Sequence, residues 1–196
     1  MDTNLPDKEY WNGFSGNEFG MVGNSRSQLQ RALSEMIDPA ERVVNLMCGR
    51  YAHFHSALGI DISDKMLAAN EEISESLVWD VNDPTKSYPI KNGSFDVAVM
   101  ISGIAYLTNP EHTFSETGRI LKPNGKFIVG YDQNQTPKGT DEWKNLDDEA
   151  RLTTLQGLYK GAGFEDQEVK RLSIDLGFGM LGVGPKTFYL VTAKKE

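Results

Sequence analysis

The chain of 196 residues is poor in several residue types, and each shortage excludes something. Its one cysteine, Cys48, rules out an internal disulfide and leaves no Cys-x-x-Cys pair for redox or zinc chemistry. Three histidines, His53, His55 and His112, supply few metal ligands. His53-x-His55 has no third Cys or His nearby and no carboxylate completing a motif, so no metal is expected. Basic residues are outnumbered, 20 Lys and Arg against 28 Asp and Glu, and the net charge of −8 opposes the counterion release on which nucleic-acid binding depends. No apolar run reaches the length of a membrane span, and no apolar N-terminal segment flanked by positive charge appears. The expectation is a cytoplasmic protein with no membrane contact and an unlikely nucleic-acid partner. Glycine is missing where a nucleotide loop would concentrate it, and neither a Gly-x-Ser-x-Gly elbow nor a Walker loop is present.

What is present is an alternation of apolar runs and helical periods. Residues 1–24, rich in Gly, Asn and aromatics, show no sustained period and read as an irregular lead-in and candidate lid carrying Tyr10, Trp11, Phe14 and Phe19. Residues 25–196 read as a single domain. Leu29, Ala32, Leu33, Met36 and Ile37 recur at helical spacing until Asp38-Pro39. VVNLM (43–47), ALGIDI (57–62), LVWDV (77–81), FDVAVMI (95–101) and KFIVGY (126–131) read as buried strands. Between them, Ser63 caps a helix carrying Met66, Leu67 and Ile73, and Pro110 starts one carrying Phe114 and Leu121. Lys122-Pro123-Asn124-Gly125 then makes a turn. Asp147 begins a helix with Leu152, Leu155 and Tyr159 on one face. Strands at 165–175 and 186–195 follow with only the Gly-rich 176–185 between them, so they should pair antiparallel. The sum is an α/β, Rossmann-like, doubly wound and mostly parallel seven-stranded sheet with a C-terminal antiparallel hairpin and helices on both faces.

In such a sheet ligands gather beyond the C-terminal strand ends, where the winding reverses. Asp61 ends the second strand, where a carboxylate can accept both hydrogen bonds of a ribose diol; its plainer role is to cap the turn beside Ser63. Asp80 suits an adenine amino group, with the Val81 amide for a ring nitrogen, and is equally at home in an ordinary turn. The turn from Cys48 to Tyr51 holds one glycine, Gly49, where the backbone of a nucleotide loop would use several. Only nine residues separate Met47 from the strand at Ala57, so a short or distorted helix is expected there. Tyr51 is free to pack on a cationic or aromatic group.

The order of VVNLMCGRY, GIDISDKML, GSFDVAVMISGIAYL, GRILKPNGKFIV and LYKGAGFEDQEV resembles the class I S-adenosylmethionine-dependent methyltransferases, in particular the small domains with a glycine loop, a GVDxS-like strand end, an SFD strand and an LKPGG turn. The resemblance covers roughly residues 40–195. It implies S-adenosyl-L-methionine as cofactor. Asn45, Gly49 and the backbone from Leu46 through Met47 and Cys48 to Arg50 would lie around its methionine moiety, with Tyr51 closing that loop, Asp61 and Ile62 at ribose and adenine, Asp80 and Val81 at the adenine edge, and Ile101 beside the sulfonium. Asn45 stands where an acidic residue is usual, and Met47 and Tyr51 replace the first and third glycines. Tyr106 is the side chain expected to face the acceptor, a small molecule. The implied activity is methyl transfer to that acceptor; the alternative is a non-catalytic ligand-binding or protein-interaction module on the same fold. A dinucleotide oxidoreductase fits less well, lacking both the glycine fingerprint and a need for the final hairpin.

Overall fold

A computed structural model describes residues 5–13, 24–52, 54–132, 139–174 and 186–196. Seven strands, β1 (Val43–Leu46), β2 (Ser56–Asp61), β3 (Ile73–Val78), β4 (Phe95–Ile101), β5 (Leu121–Asp132), β6 (Phe164–Ile174) and β7 (Lys186–Lys195), join in one sheet. Their order is β3-β2-β1-β4-β5-β7-β6. The first five run parallel, and β7 lies antiparallel between β5 and β6. The winding therefore reverses between β1 and β4, which is where a crevice is expected.

Alternation along β4 divides the core into two layers. Ala98 and Met100 face the side covered by α4 (Pro110–Ile120) and α6 (Asp148–Gly161), packing with Phe114, Leu155 and Tyr159. Val97, Val99 and Ile101 face α2 (Asn24–Ser34), packing with Leu29 and Leu33. Each such fully buried Leu or Phe stabilises the fold by about 1.5–3 kcal/mol. The remaining helices are short: α1 (Lys8–Gly13), α3 (Asp64–Ala68), α5 (Asp141–Lys144) and a 3-10 turn at Ile104–Tyr106. No helix among the described residues is long and apolar enough to cross a membrane.

The architecture expected from sequence is the one observed, with local differences. Within the lead-in, residues 8–13 form a helix started by Asp7, whose Oδ1 accepts from the Tyr10 amide at 2.8 Å. Phe14, Phe19 and the 176–185 stretch lie outside the described residues. No helix occurs among the described residues between β1 and β2, so that crossover is a turn and an extended loop. The third strand begins at Ile73 rather than Leu77, and Ile73 starts it instead of ending a helix. Apolar content misplaces this strand because it is an edge, paired only with β2, and its Ser74, Glu75 and Ser76 are exposed. Leu121 belongs to β5, not to the helix before it. The Lys122–Gly125 turn is looped out of that strand opposite Asp96, since Phe95 pairs with Leu121 and Val97 with Lys126.

Candidate functional site

The turn after β1 is built from left-handed backbone and braces from outside it. Met47 and Gly49 both have φ of 52°. Glycine adopts this conformation freely, but a methionine there is strained and persists only where its surroundings hold it. Those surroundings are identifiable. Asn45, almost fully buried, donates from Nδ2 to the Ala52 carbonyl at 2.6 Å. Asn70, also buried, donates to the Gly49 carbonyl at 2.9 Å. The Arg26 guanidinium lies 4.8 Å from the centre of the Tyr51 ring and is ion-paired to Glu72. The cationic partner expected for Tyr51 thus comes from the chain itself. These contacts do the positioning that a crossover helix and further glycines would otherwise do.

Asp61, only 8% exposed, closes the turn from the β2 side. Its Oδ2 accepts from the Gly49 amide at 2.8 Å and its Oδ1 from the Ser63 amide at 2.9 Å. Burial pushes its carboxyl above the usual carboxylate range, and the amides of Ser63, Gly49 and Ile62 hold that rise in check. It is not a solvated turn residue. Ser63 caps α3, accepting from the Met66 amide at 3.1 Å, and its hydroxyl donates to Asn12 Oδ1 at 2.6 Å. Cys48 is buried with Ala52 and Leu67, and burial, reinforced by the nearby Asp61 charge, raises its thiol well above the ordinary range.

Across the crevice, β4 ends on a second strained residue. Ser102 has φ of 60° and donates its amide to the Gly130 carbonyl at 2.7 Å. Gly103 is enclosed: a Cβ there would meet Met100 Cγ at 2.8 Å and Met47 Sδ at 3.0 Å. Tyr106 is half-buried, with the Trp11 ring edge-on at 5.4 Å. Beside β2 and β3, a hollow of about 150 Å³ is lined by Lys8, Ile62, Val78, Trp79, Asp80, Asp83 and Lys86. The Trp79 indole N–H is buried without a hydrogen-bond partner among the described residues.

Of the residues expected from sequence, Met47, Cys48, Gly49, Arg50, Tyr51, Asp61 and Ile62 occupy the adjacent ends of β1 and β2, and Tyr106 follows β4. Asp80 is exposed on the hollow's rim, and its Oδ1 accepts from the Asn82 amide at 2.9 Å. The side chains of Leu46 and Ile101 are buried in the two core layers, and Val81 is buried with its carbonyl accepting from Thr113 Oγ1 at 3.0 Å. Sequence reasoning missed Lys8, Asn12, Arg26, Asn70 and Asn82. Asn82 Nδ2 donates to the Tyr106 carbonyl at 3.1 Å. None of these carries a local signal, because each acts on a segment distant in the chain. Among the described residues, no three His, Cys, Asp or Glu side chains group closely enough to hold a metal ion; His53 lies outside them.

A sheet reversed between β1 and β4, closed by an antiparallel seventh strand and carrying an acidic residue at the end of β2, defines the class I methyltransferase fold. Residues 41–129 match the family described as a methyltransferase domain, and the fold is that of the S-adenosylmethionine-dependent methyltransferases. It is 28% identical over 160 residues to the ubiquinone/menaquinone biosynthesis C-methyltransferase UbiE of a Ruegeria species, covering 65% of this chain and 63% of that protein. It is 30% identical over 129 residues to the 18S rRNA (guanine-N(7))-methyltransferase of Saccharomyces cerevisiae, covering 59% of this chain and 44% of that one. The chain therefore spans less than two thirds of the length of these relatives. Among solved structures, the Haloferax volcanii methyltransferase in complex with the Trm112 activator superposes with a TM-score of 0.70 at 18% identity, over 96% of this chain and 97% of that one. A Thermotoga maritima S-adenosylmethionine-dependent methyltransferase gives 0.65 at 22% identity, over 88% and 90%.

Proposed function

We propose that this chain transfers a methyl group from S-adenosyl-L-methionine to a small-molecule acceptor. The observation that carries the reading is Asp61, a buried carboxylate at the end of β2, tied through the Gly49 amide to the bend after β1. A buried anion is costly unless its lone pairs are met, and each oxygen here accepts one amide from the protein with capacity left for a further donor such as a ribose hydroxyl. The unpartnered Trp79 N–H and the hollow beside Ile62 and Asp80 fit a purine-sized group with polar edges. The bend at 47–51 would hold the amino-acid end of the cofactor, and Tyr106 would face the acceptor.

When bound, the cofactor supplies an electrophilic methyl, so the chain's own task is alignment and exclusion of water. Asp61 fixes the nucleoside, the Met47–Gly49 bend sets its depth, and the ring pair of Trp11 and Tyr106 closes the crevice on the acceptor side. The low share of basic residues and the small-molecule pathway named for the UbiE relative support a small acceptor, although the yeast relative's name specifies rRNA.

A second reading, a non-catalytic ligand-binding or interaction module, draws on the Met47 and Met100 side chains packed against Gly103 just past the end of β4. Calorimetric and thermal-shift titration with S-adenosylmethionine and S-adenosylhomocysteine separates the two. Ligand at about a hundred times its Kd should stabilise the fold by about 2.7 kcal/mol. No response at millimolar concentration would reject the enzyme reading in favour of the module.

A further inference from the structure

Three strand spacings, about 14 Å, separate β3 from β4 in the sheet, yet the segments that leave their C-terminal ends meet. The segment after β3 runs along the side of the sheet covered by α4: Val81 is buried in the layer that holds Phe114, and its carbonyl accepts from Thr113 Oγ1 at 3.0 Å. Asn82 then makes the junction. Its Nδ2 donates to the Tyr106 carbonyl at 3.1 Å, its Oδ1 accepts from the Thr108 amide at 2.8 Å, and its own carbonyl accepts from Asn109 Nδ2 at 2.8 Å. Both ends of one half-buried side-chain amide are thus spent on the segment that carries Tyr106.

The surroundings say what this junction holds together. On the β3 side, Asp80 Oδ1 accepts from the Asn82 amide at 2.9 Å, and Asp80 lines the hollow with Ile62 and Trp79. On the β4 side, the Ile104–Tyr106 turn has a second tether to the segment after β5. The Ala105 carbonyl accepts from the Thr140 amide at 2.7 Å, and a Cβ on the neighbouring Gly139 would meet that carbonyl oxygen at 2.8 Å. A shift of residues 80–82 must therefore either carry the Tyr106 turn with it or break both bonds of the Asn82 amide.

We infer that Asn82 couples the two halves of the crevice: a nucleoside seated against Asp80 and Trp79 fixes residues 80–82 and, through the Asn82 amide, fixes the turn that presents Tyr106 to the acceptor. The cofactor thereby completes the acceptor side before the acceptor arrives. The inference rests on the cofactor reading above. Asn82 touches neither reacting group and is a positioning residue. Such coupling is reciprocal, so a ligand that holds the turn more firmly by some factor must itself bind more weakly by that factor once the link is cut.

Residue-resolved amide exchange on the full chain, with S-adenosylhomocysteine as the ligand, tests the coupling. Saturating ligand should slow exchange of the wild-type Thr108 amide about fivefold or more. In Asn82→Ala that amide should exchange fast with or without ligand, and the calorimetric Kd should rise by the factor by which wild-type exchange slowed. The Thr140 amide, bonded to Ala105 and not to Asn82, should keep its protection in the variant and so report a folded turn. Asn82→Asp keeps the acceptor for Thr108 and loses the donor to Tyr106; it should recover part of the slowing and part of the affinity together. Recovery of one without the other would overturn the coupling, as would Asn82→Ala with Thr108 protection lost and Kd unchanged, the result of a merely structural bond. A wild type that binds the ligand with Thr108 exchange unaltered would overturn it and leave the cofactor reading standing. A wild type that does not bind S-adenosylhomocysteine overturns both.

Discussion

At the scale of single residues, the site turns on a carboxylate placed where burial opposes its charge. Asp61 accepts one backbone amide on each oxygen, which locks its rotamer and aims its remaining lone pairs. Replacing it with alanine should weaken cofactor binding by about 1.5–3 kcal/mol, the value of a hydrogen bond to a charged group, as read by calorimetry. An affinity within twofold of wild type would place the ribose elsewhere. Asp61 was legible from sequence because a strand that ends in an acidic residue before a capping serine is a local pattern. Its partners were not. Asn12 lies 51 residues from Ser63, and Asn70 is 21 from Gly49, and neither falls in a pattern that periodicity or motif can expose. Leu46 and Ile101, placed near the ligand by their position in a motif, have side chains in the two core layers, so any part they play in binding falls to their backbone.

At the scale of elements, the bend between β1 and β2 shows how a crossover dispenses with its helix. Its brace at Asn70 joins two elements, since the same amide group donates to Gly49 and accepts from the Glu72 backbone N–H at 3.0 Å as β3 begins. Asn70→Ala strands a buried carbonyl and should cost about 1–3 kcal/mol in urea unfolding. It should also lower cofactor affinity, whereas Asn70→Asp keeps only the acceptor half and should recover part of the stability but little of the affinity. Equal effects of the two variants on both readouts would show that the brace does not shape the bend. The missing glycines were plain in the sequence, and so was the shortness of the segment. That a cation over Tyr51 and two asparagine amides take their place required the fold. The start of β3 was misplaced in sequence for a related reason: a strand paired on one side tolerates polar residues on both faces, so Ser74, Glu75 and Ser76 hid its first half.

At the scale of the molecule, two features set stability. The Tyr159 hydroxyl, fully buried on α6, sits 3.0 Å from the Phe127 carbonyl and 2.8 Å from the Val191 carbonyl, fastening the helix across the β5–β7 seam. Tyr159→Phe should lower unfolding free energy by about 0.5–1.5 kcal/mol in denaturant titration, with no effect on cofactor affinity. Acid stability follows from Glu116, whose carboxylate is held below its usual 4.5 mainly by Arg119 and accepts from the Tyr88 amide at 2.6 Å. A carboxyl lowered on folding contributes stability that is fully present above about pH 4.5 and is lost as pH falls through its folded value. Asp61 runs the other way: its raised carboxyl makes the fold less stable as pH climbs from 3.8 through its folded value. Glu116→Gln should therefore be less stable than wild type at pH 7, with the gap closing toward pH 3. A gap independent of pH would mean that packing, not charge, holds that helix. The alternation of strands and helices, the switch to antiparallel pairing and the two-layer core were all readable from apolar period, because each is written in runs of adjacent residues.

The insertion of β7 between β5 and β6 has a consequence for biosynthesis. Strand β6 is made before β7 yet touches the rest of the sheet only through it. A growing chain that has already produced β6 must leave that ribbon, and the outer rim of β5, bare until the later segment arrives to bridge them. For that interval two open hydrogen-bonding borders coexist on one nascent polypeptide, and this half-built rim is where chaperones or self-association would first compete with correct folding.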